Sequence, residues 1–174
     1  MTPVEDRRIL ETGIGTGTER RCIVAVERYP AASVGVPDRT VTVLIIGEPG
    51  GDRDSLRSIL SHSNWVVHEA ASKAEALDVL RSNRISVVLC GCKLADGDWR
   101  SVLELVGALP NAPPLIVTSR RADDSLWAEV LNLGGYDLLP APFDRREVIR
   151  VTGVAWLQWK DKLPMRSLAA AACG

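Results

Sequence analysis

The sequence predicts a doubly wound α/β domain: a five-stranded parallel sheet in the order 2-1-3-4-5, with helices on both faces. Two observations carry that expectation. Residues 41–159 alternate short apolar runs with helical patterns five times over. Two of those runs, residues 41–46 and 85–90, are apolar enough for strands buried on both faces, not for strands with one wet side. Each helix must then return the chain in the same direction, which makes the strands parallel and the crossovers right-handed.

The elements follow in order. Residues 41–46 form the first strand. Residues 52–61 form a helix with Leu56, Ile59 and Leu60 at helical spacing. Residues 65–68 form a second, short strand. Ser72 opens a helix that runs to Arg81; Glu75 stands three residues on, as a capping box requires, and Ala74, Leu77 and Leu80 make the apolar stripe. Residues 85–90 form the third strand. Trp99, Val102, Leu103 and Val106 mark the third helix, which stops near Pro110. Residues 115–118 form the fourth strand. Residues 123–133 form the fourth helix, with Leu126, Val130 and Leu133 inward and Gly134 as its stop. Residues 136–139 form the fifth strand and residues 143–159 the last helix. This strand order is the flavodoxin-like one, whose ligands sit at the carboxyl ends of the strands near the switch between the first and third. The loops after Ile46, Cys90, Thr118 and Leu139 are therefore the ones to inspect.

The flanks read differently. Residues 1–40 are rich in Gly, Thr, Pro and Arg, and read as a flexible arm and linker. Gly13, Gly15 and Gly17 precede an apolar stretch at residues 22–26, but a phosphate loop needs a strand before it and a helix after it, so the match fails. Residues 160–174 read as a short tail. With 174 residues the chain holds one domain plus these flanks.

Composition excludes several classes. The formal net charge is -1, from 21 basic and 22 acidic residues. That balance argues against a general nucleic-acid or membrane-surface binder. No apolar run is long enough to cross a membrane, and the charged start lacks a secretory signal, so a cytoplasmic location is expected. The four cysteines, Cys22, Cys90, Cys92 and Cys173, have no redox or zinc-knuckle spacing and are expected to be reduced. With only two histidines, His62 and His68, no metal and no cofactor is expected.

The loops carry more specific signals. Leu94-Ala95-Asp96-Gly97-Asp98 follows the third strand and Arg121-Ala122-Asp123-Asp124 the fourth. Gly134-Gly135-Tyr136-Asp137-Leu138-Leu139-Pro140-Ala141-Pro142-Phe143 surrounds the fifth. In this order and on this frame, residues 41–159 resemble the response-regulator receiver domain of two-component signalling. The resemblance implies five chemical positions: an acid pair that holds Mg²⁺, an aspartate that accepts a phosphoryl group, a Ser or Thr, and a lysine that offsets charge. Here the acid pair falls on Gly47 and Glu48, the acceptor on Gly91, the hydroxyl on Ser119 and the lysine on Ala141. Only Ser119 and one carboxylate survive. Glycine has no nucleophile. The resemblance thus implies a degenerate receiver with no enzymatic role.

Neighbouring residues offer partial substitutes. Asp96 and Asp98 read as loop and helix-start acids. Lys93 falls where the family lends a carbonyl to the metal, and its ammonium could approach Glu48. The resemblance also implies a signalling face on the fourth helix, fifth strand and last helix, near Trp127, Leu138, Trp156 and Trp159; Leu138 stands where the family often has an aromatic switch. The expected function is a stand-alone pseudo-receiver that meets signalling proteins, a histidine kinase or an output protein, without nucleic acid or membrane. A homodimer through the same face is one arrangement the resemblance allows. Two alternatives are an active receiver with Asp96 or Ser119 as acceptor, and a small-molecule or redox sensor with Cys92 at the rim of the emptied pocket.

Overall fold

The computed structural model describes residues 40–61 and 64–171. The expected arm at residues 1–40, its glycines, Cys22, His62 and Cys173 lie outside the described residues, Thr40 excepted. The elements are β1 (Thr42–Ile46), α1 (Gly51–Ser61), β2 (Val66–Ala70), α2 (Lys73–Ser82), β3 (Val87–Gly91), β4 (Lys93–Leu94), β5 (Gly97–Asp98), α3 (Trp99–Gly107), β6 (Leu115–Ser119), α4 (Asp124–Leu133), β7 (Asp137–Pro140) and α5 (Arg145–Ala171). The main sheet is parallel, in the order β2-β1-β3-β6-β7. Apart from the two-residue hairpin β4-β5, which sequence periodicity cannot register, this is the expected 2-1-3-4-5 topology.

The apolar strand runs are explained by a core on each face. Leu44, Ile46, Val88, Cys90, Leu115 and Val117 pack on one side against Ala76 and Leu80 of α2, Trp99, Val102 and Val106 of α3, and Val130 of α4. Val43, Ile45, Val87, Leu89 and Ile116 point the other way, against Leu56 and Leu60 of α1 and Val148, Val151 and Ala155 of α5. Successive residues of the central strands thus alternate between two largely apolar layers. Buried Ser86 keeps its polarity satisfied: its hydroxyl accepts from the Thr42 N–H at 2.9 Å and donates to the Thr42 carbonyl at 2.8 Å.

Helix ends follow local chemistry. Ser72, Asp98 and Asp123 each cap the helix that follows by accepting a backbone N–H three residues on. Glu75 reaches back to the Ala71 N–H at 2.7 Å. Gly134 ends α4 at φ 99°, a left-handed conformation that favours glycine.

Three expectations are corrected. In α2 the inward residue is Ala76, while Ala74 faces solvent; the helix is turned one position from the stripe read in the sequence. Leu133 is 52% exposed at the last position of α4, whose buried residue is Val130. The last helix does not stop at residue 159 but continues through Ala171, so most of the expected tail is helical.

Candidate functional site

The site forms where the strands end. Register places Ile46 beside Cys90, Gly91 beside Thr118, and Ser119 beside Pro140. Main-chain bonds carry the alignment past the strand ends: the Gly47 N–H donates to the Ala70 carbonyl at 3.0 Å, Cys92 to Thr118 at 3.1 Å and Ala141 to Ser119 at 2.9 Å. Gly47, Gly91, Ser119 and Ala141 therefore stand at the same edge of the sheet. A cleft of about 620 Å³ opens there, lined by residues that include Gly47, Glu48, Gly91, Cys92, Lys93 and Ser119. Ala141 is not part of that lining.

The cleft has open space beside both of its strand-end glycines. A Cβ on Gly91 would meet only the Lys93 and Ile46 carbonyl oxygens, at 3.6 and 3.7 Å, and one on Gly47 would meet nothing within 4 Å. Both glycines leave room that a carboxylate could fill. The Ser119 hydroxyl oxygen accepts from the Arg121 N–H at 3.0 Å, which turns the loop after β6. Cys92 lies at the rim as a free thiol. Cys90, one residue before Gly91, is buried in the sheet, and that burial pushes its thiol well above the usual range.

The two acids weighed as substitutes work elsewhere. Asp96 accepts the N–H groups of Lys73 and Ala74 at 2.8 and 3.0 Å, so it closes the amino end of α2 from across the loop. The Lys73 bond leads in holding its carboxyl below the ordinary range. Asp98 caps α3 through Ser101, and that bond lowers its carboxyl likewise. Neither lines the cleft. Lys93 and Glu48 both line it and are exposed, yet no ion pair joins them.

Sequence reasoning missed the arginines. Arg53, Arg120 and Arg121 line the cleft together with Asp52. Arg120 holds Asp52 through two bonds of 2.9 Å, and the first effect of that pairing is to lower the Asp52 carboxyl. Arg53 donates to the Gly47 carbonyl at 3.4 Å and lies 3.8 Å from Glu69. The available signal was position: each of these charges falls directly after a strand end or in the first turn of a helix.

The pattern of carboxylates, hydroxyl and strand ends can now be set beside known proteins. The family model for the response regulator receiver domain matches residues 43–152. The chain belongs to the response-regulator receiver domain family. It is 31% identical over 113 residues to the response regulator MprA of Mycobacterium tuberculosis, covering 63% of this chain and 48% of that protein. The chain spans about half the length of the curated relatives it matches. Among solved structures, a putative response regulator from Chloroflexus aurantiacus superposes with a TM-score of 0.63 at 22% identity, over 68% of this chain and 99% of that one. The chemotaxis response regulator CheY4 of Vibrio cholerae does so with a TM-score of 0.61 at 16% identity, over 67% and 98%. These two show the shared flavodoxin-like fold.

The receiver family implies a magnesium ion at this end of the sheet, and the donor set does not suit one. Hard cations are held by carboxylate and carbonyl oxygens. The cleft offers the carboxylates of Glu48 and Asp52, the latter already bound to Arg120, against four cationic side chains. Among the described residues no group of three or more His, Cys, Asp or Glu is placed to hold a metal.

The expected signalling face is only partly a surface. Trp127 is 48% exposed on α4 and donates its indole N–H to Asp137 of β7 at 3.1 Å. Leu138 and Trp159 are buried, which corrects their assignment to the face. Strand alternation turns Leu138 into the core, and Trp159 covers the sheet end with its indole N–H donating to the Asn111 carbonyl at 3.0 Å. Trp156 is half-buried against the α1–α5 layer, with the Lys160 ammonium 5.2 Å from its ring. Leu131, Val154 and Leu157, which sequence reading did not single out, are exposed on α4 and α5. Among the described residues no helix is long and apolar enough to cross a membrane.

Proposed function

We propose that this receiver domain acts in two-component signalling as a pseudo-receiver: it passes information by binding a histidine kinase or an output protein, without phosphorylation of an aspartate. The observation that carries the reading is Gly91 at the end of β3, where the family places its acceptor. A glycine supplies no oxygen to attack phosphorus, and no carboxylate in the cleft replaces it. The remaining family positions support this, since Gly47 removes one acid and Ala141 removes the lysine that would offset phosphoryl charge.

The partner surface in this reading is built on α4, β7 and α5. Trp127 and Leu131 lie one turn apart on α4, and Asp137 ties Trp127 to β7. Exposed aromatic and aliphatic side chains of this kind anchor protein contacts. Acetyl phosphate with Mg²⁺, followed by intact-mass spectrometry, tests the proposal. The expected spectrum shows the unmodified chain. A stoichiometric gain of one phosphoryl group would overturn it, and peptide mapping would then name the acceptor.

A further inference from the structure

We propose that the emptied cleft is a metal-free binding site for a small organic phosphate, held noncovalently by arginine. The proposal rests on the reading above, that Gly91 leaves the cleft without an acceptor. It adds what the cleft takes instead.

The sign of the lining carries the inference. Arg53, Lys93, Arg120 and Arg121 line one space with Glu48 and Asp52, and of these four cations Arg53 lies 3.8 Å from Glu69, which is outside the lining. Asp52 is already neutralised by Arg120, so Glu48 is the one carboxylate there without a cationic partner. The Lys93 ammonium and the Arg121 guanidinium have no acidic partner among the described residues. A pocket meant for a divalent cation would carry the opposite sign.

The geometry then selects the anion. The two bonds from Arg120 to Asp52 fix its guanidinium at the rim and use two of its five N–H donors, which leaves three for a ligand. Guanidinium forks match phosphate oxygens in pairs, as a lysine cannot. The Ser119 oxygen already accepts from the Arg121 N–H, so its own O–H is left to donate into the cleft. Gly50 and Gly51 keep side chains away from the amino end of the eleven-residue α1, which opens on the same space and adds positive potential. A volume of about 620 Å³ exceeds a lone phosphate and suits a phosphate with a small organic body. Ala141 lies outside the lining, so charge enters from α1, from Lys93 of β4 and from the β6–α4 loop, not from the β7 loop where the family keeps its lysine.

The test uses the full chain in EDTA at physiological ionic strength. Ribose 5-phosphate, inorganic phosphate and succinate are titrated in turn, and heat and backbone amide shifts of Gly47, Gly50, Ser119 and Arg121 are followed. Ribose 5-phosphate is expected to bind saturably, inorganic phosphate to compete for the same amides, and succinate to bind more weakly. Arg120→Gln and Arg121→Gln each remove a charged donor and are expected to weaken binding about tenfold. Asp52→Asn frees Arg120 and should tighten it; Gly91→Asp places a carboxylate in the space and should abolish it. No saturable shift with either phosphate overturns the proposal, as does succinate binding equally well or affinity unmoved by both arginine variants. The outcome is separable from the pseudo-receiver reading. A covalent adduct with acetyl phosphate appears in the mass spectrum whatever ribose 5-phosphate does, and binding of ribose 5-phosphate leaves the mass unchanged.

Discussion

Arg120 grips the carboxylate of Asp52 across 68 positions of sequence, Nε to Oδ2 and Nη2 to Oδ1, each at 2.9 Å. The pair ties the loop after β6 to the first turn of α1 and frames the mouth of the cleft. It also holds the Asp52 carboxyl below its ordinary range, chiefly through the hydrogen bonds from Arg120.

A pH dependence follows. A carboxyl lowered in the folded state adds stability that is present above its unfolded pKa and lost as pH falls through the folded one. Both side chains are largely exposed, so the contribution is small and weakened by salt. Melting of the wild type and Asp52→Asn at low ionic strength is expected to favour the wild type near neutrality. The two curves should converge in acid below the carboxylate range; a gap unchanged in acid would contradict the assignment.

If the proposed reading holds, installing the family's groups in the cleft is expected to install phosphoryl acceptance. Gly47→Asp, Gly91→Asp and Ala141→Lys in one chain supply the second acid, the acceptor and the lysine, and the two glycine sites have room for a side chain. Slow acceptance of a phosphoryl group from acetyl phosphate with Mg²⁺ should appear in the triple variant, with the wild type unmodified. Magnesium titration should likewise show saturable binding only in the variant, since carboxylate count sets hard-cation affinity. Equal labelling of both proteins would place the acceptor elsewhere.

Two tryptophans should separate stability from recognition. Trp159 is 6% exposed and hydrogen-bonded to Asn111, so Trp159→Ala is expected to cost about 3–5 kcal/mol in urea unfolding. Trp127 is half exposed, and Trp127→Ala should change stability by less than about 1 kcal/mol while weakening capture of the cognate kinase or output protein. A partner interaction indifferent to Trp127→Ala would remove α4 from the interface.

Close packing at the end of α4 gives a further check. A Cβ on Gly135 would stand 2.6 Å from Val130 Cγ1 and 2.9 Å from the Val130 carbonyl oxygen. Gly135→Ala is expected to destabilise by about 1–3 kcal/mol, by overpacking. Gly107→Ala, at the end of α3 with nothing within 4 Å, should leave unfolding unchanged or slightly favoured. Equal effects at the two sites would mean that Gly135 is not packed this tightly against Val130.

Which side chains share the cleft was legible only in part. The positions of Gly47, Glu48, Gly91, Lys93 and Ser119 could be placed from strand ends alone, because a parallel sheet delivers all its strands to one edge. Arg53, Arg120 and Arg121 could not. Arg53 stands on α1 while Arg120 and Arg121 follow β6, and a charge in one segment says nothing about what faces it from another. The same limit applied to Asp96, whose two bonds go to α2 and not to the helix that follows it in sequence.

The sequence by itself determined the alternation of strands and helices, the parallel sheet and its order, the helix caps at Ser72 and Gly134, and that a glycine stands at the end of β3. These depend on periodicity, on local hydrogen bonding and on what a side chain contains, all of which act within a few residues. Tertiary structure alone decided that Leu138 and Trp159 are core and Trp127 surface, and that α5 runs on to Ala171. It alone brought Arg120 to Asp52 and set the sign of charge in the cleft. Burial and electrostatic potential are sums over neighbours from distant segments, and those neighbours exist only once the sheet has gathered its strand ends along one edge.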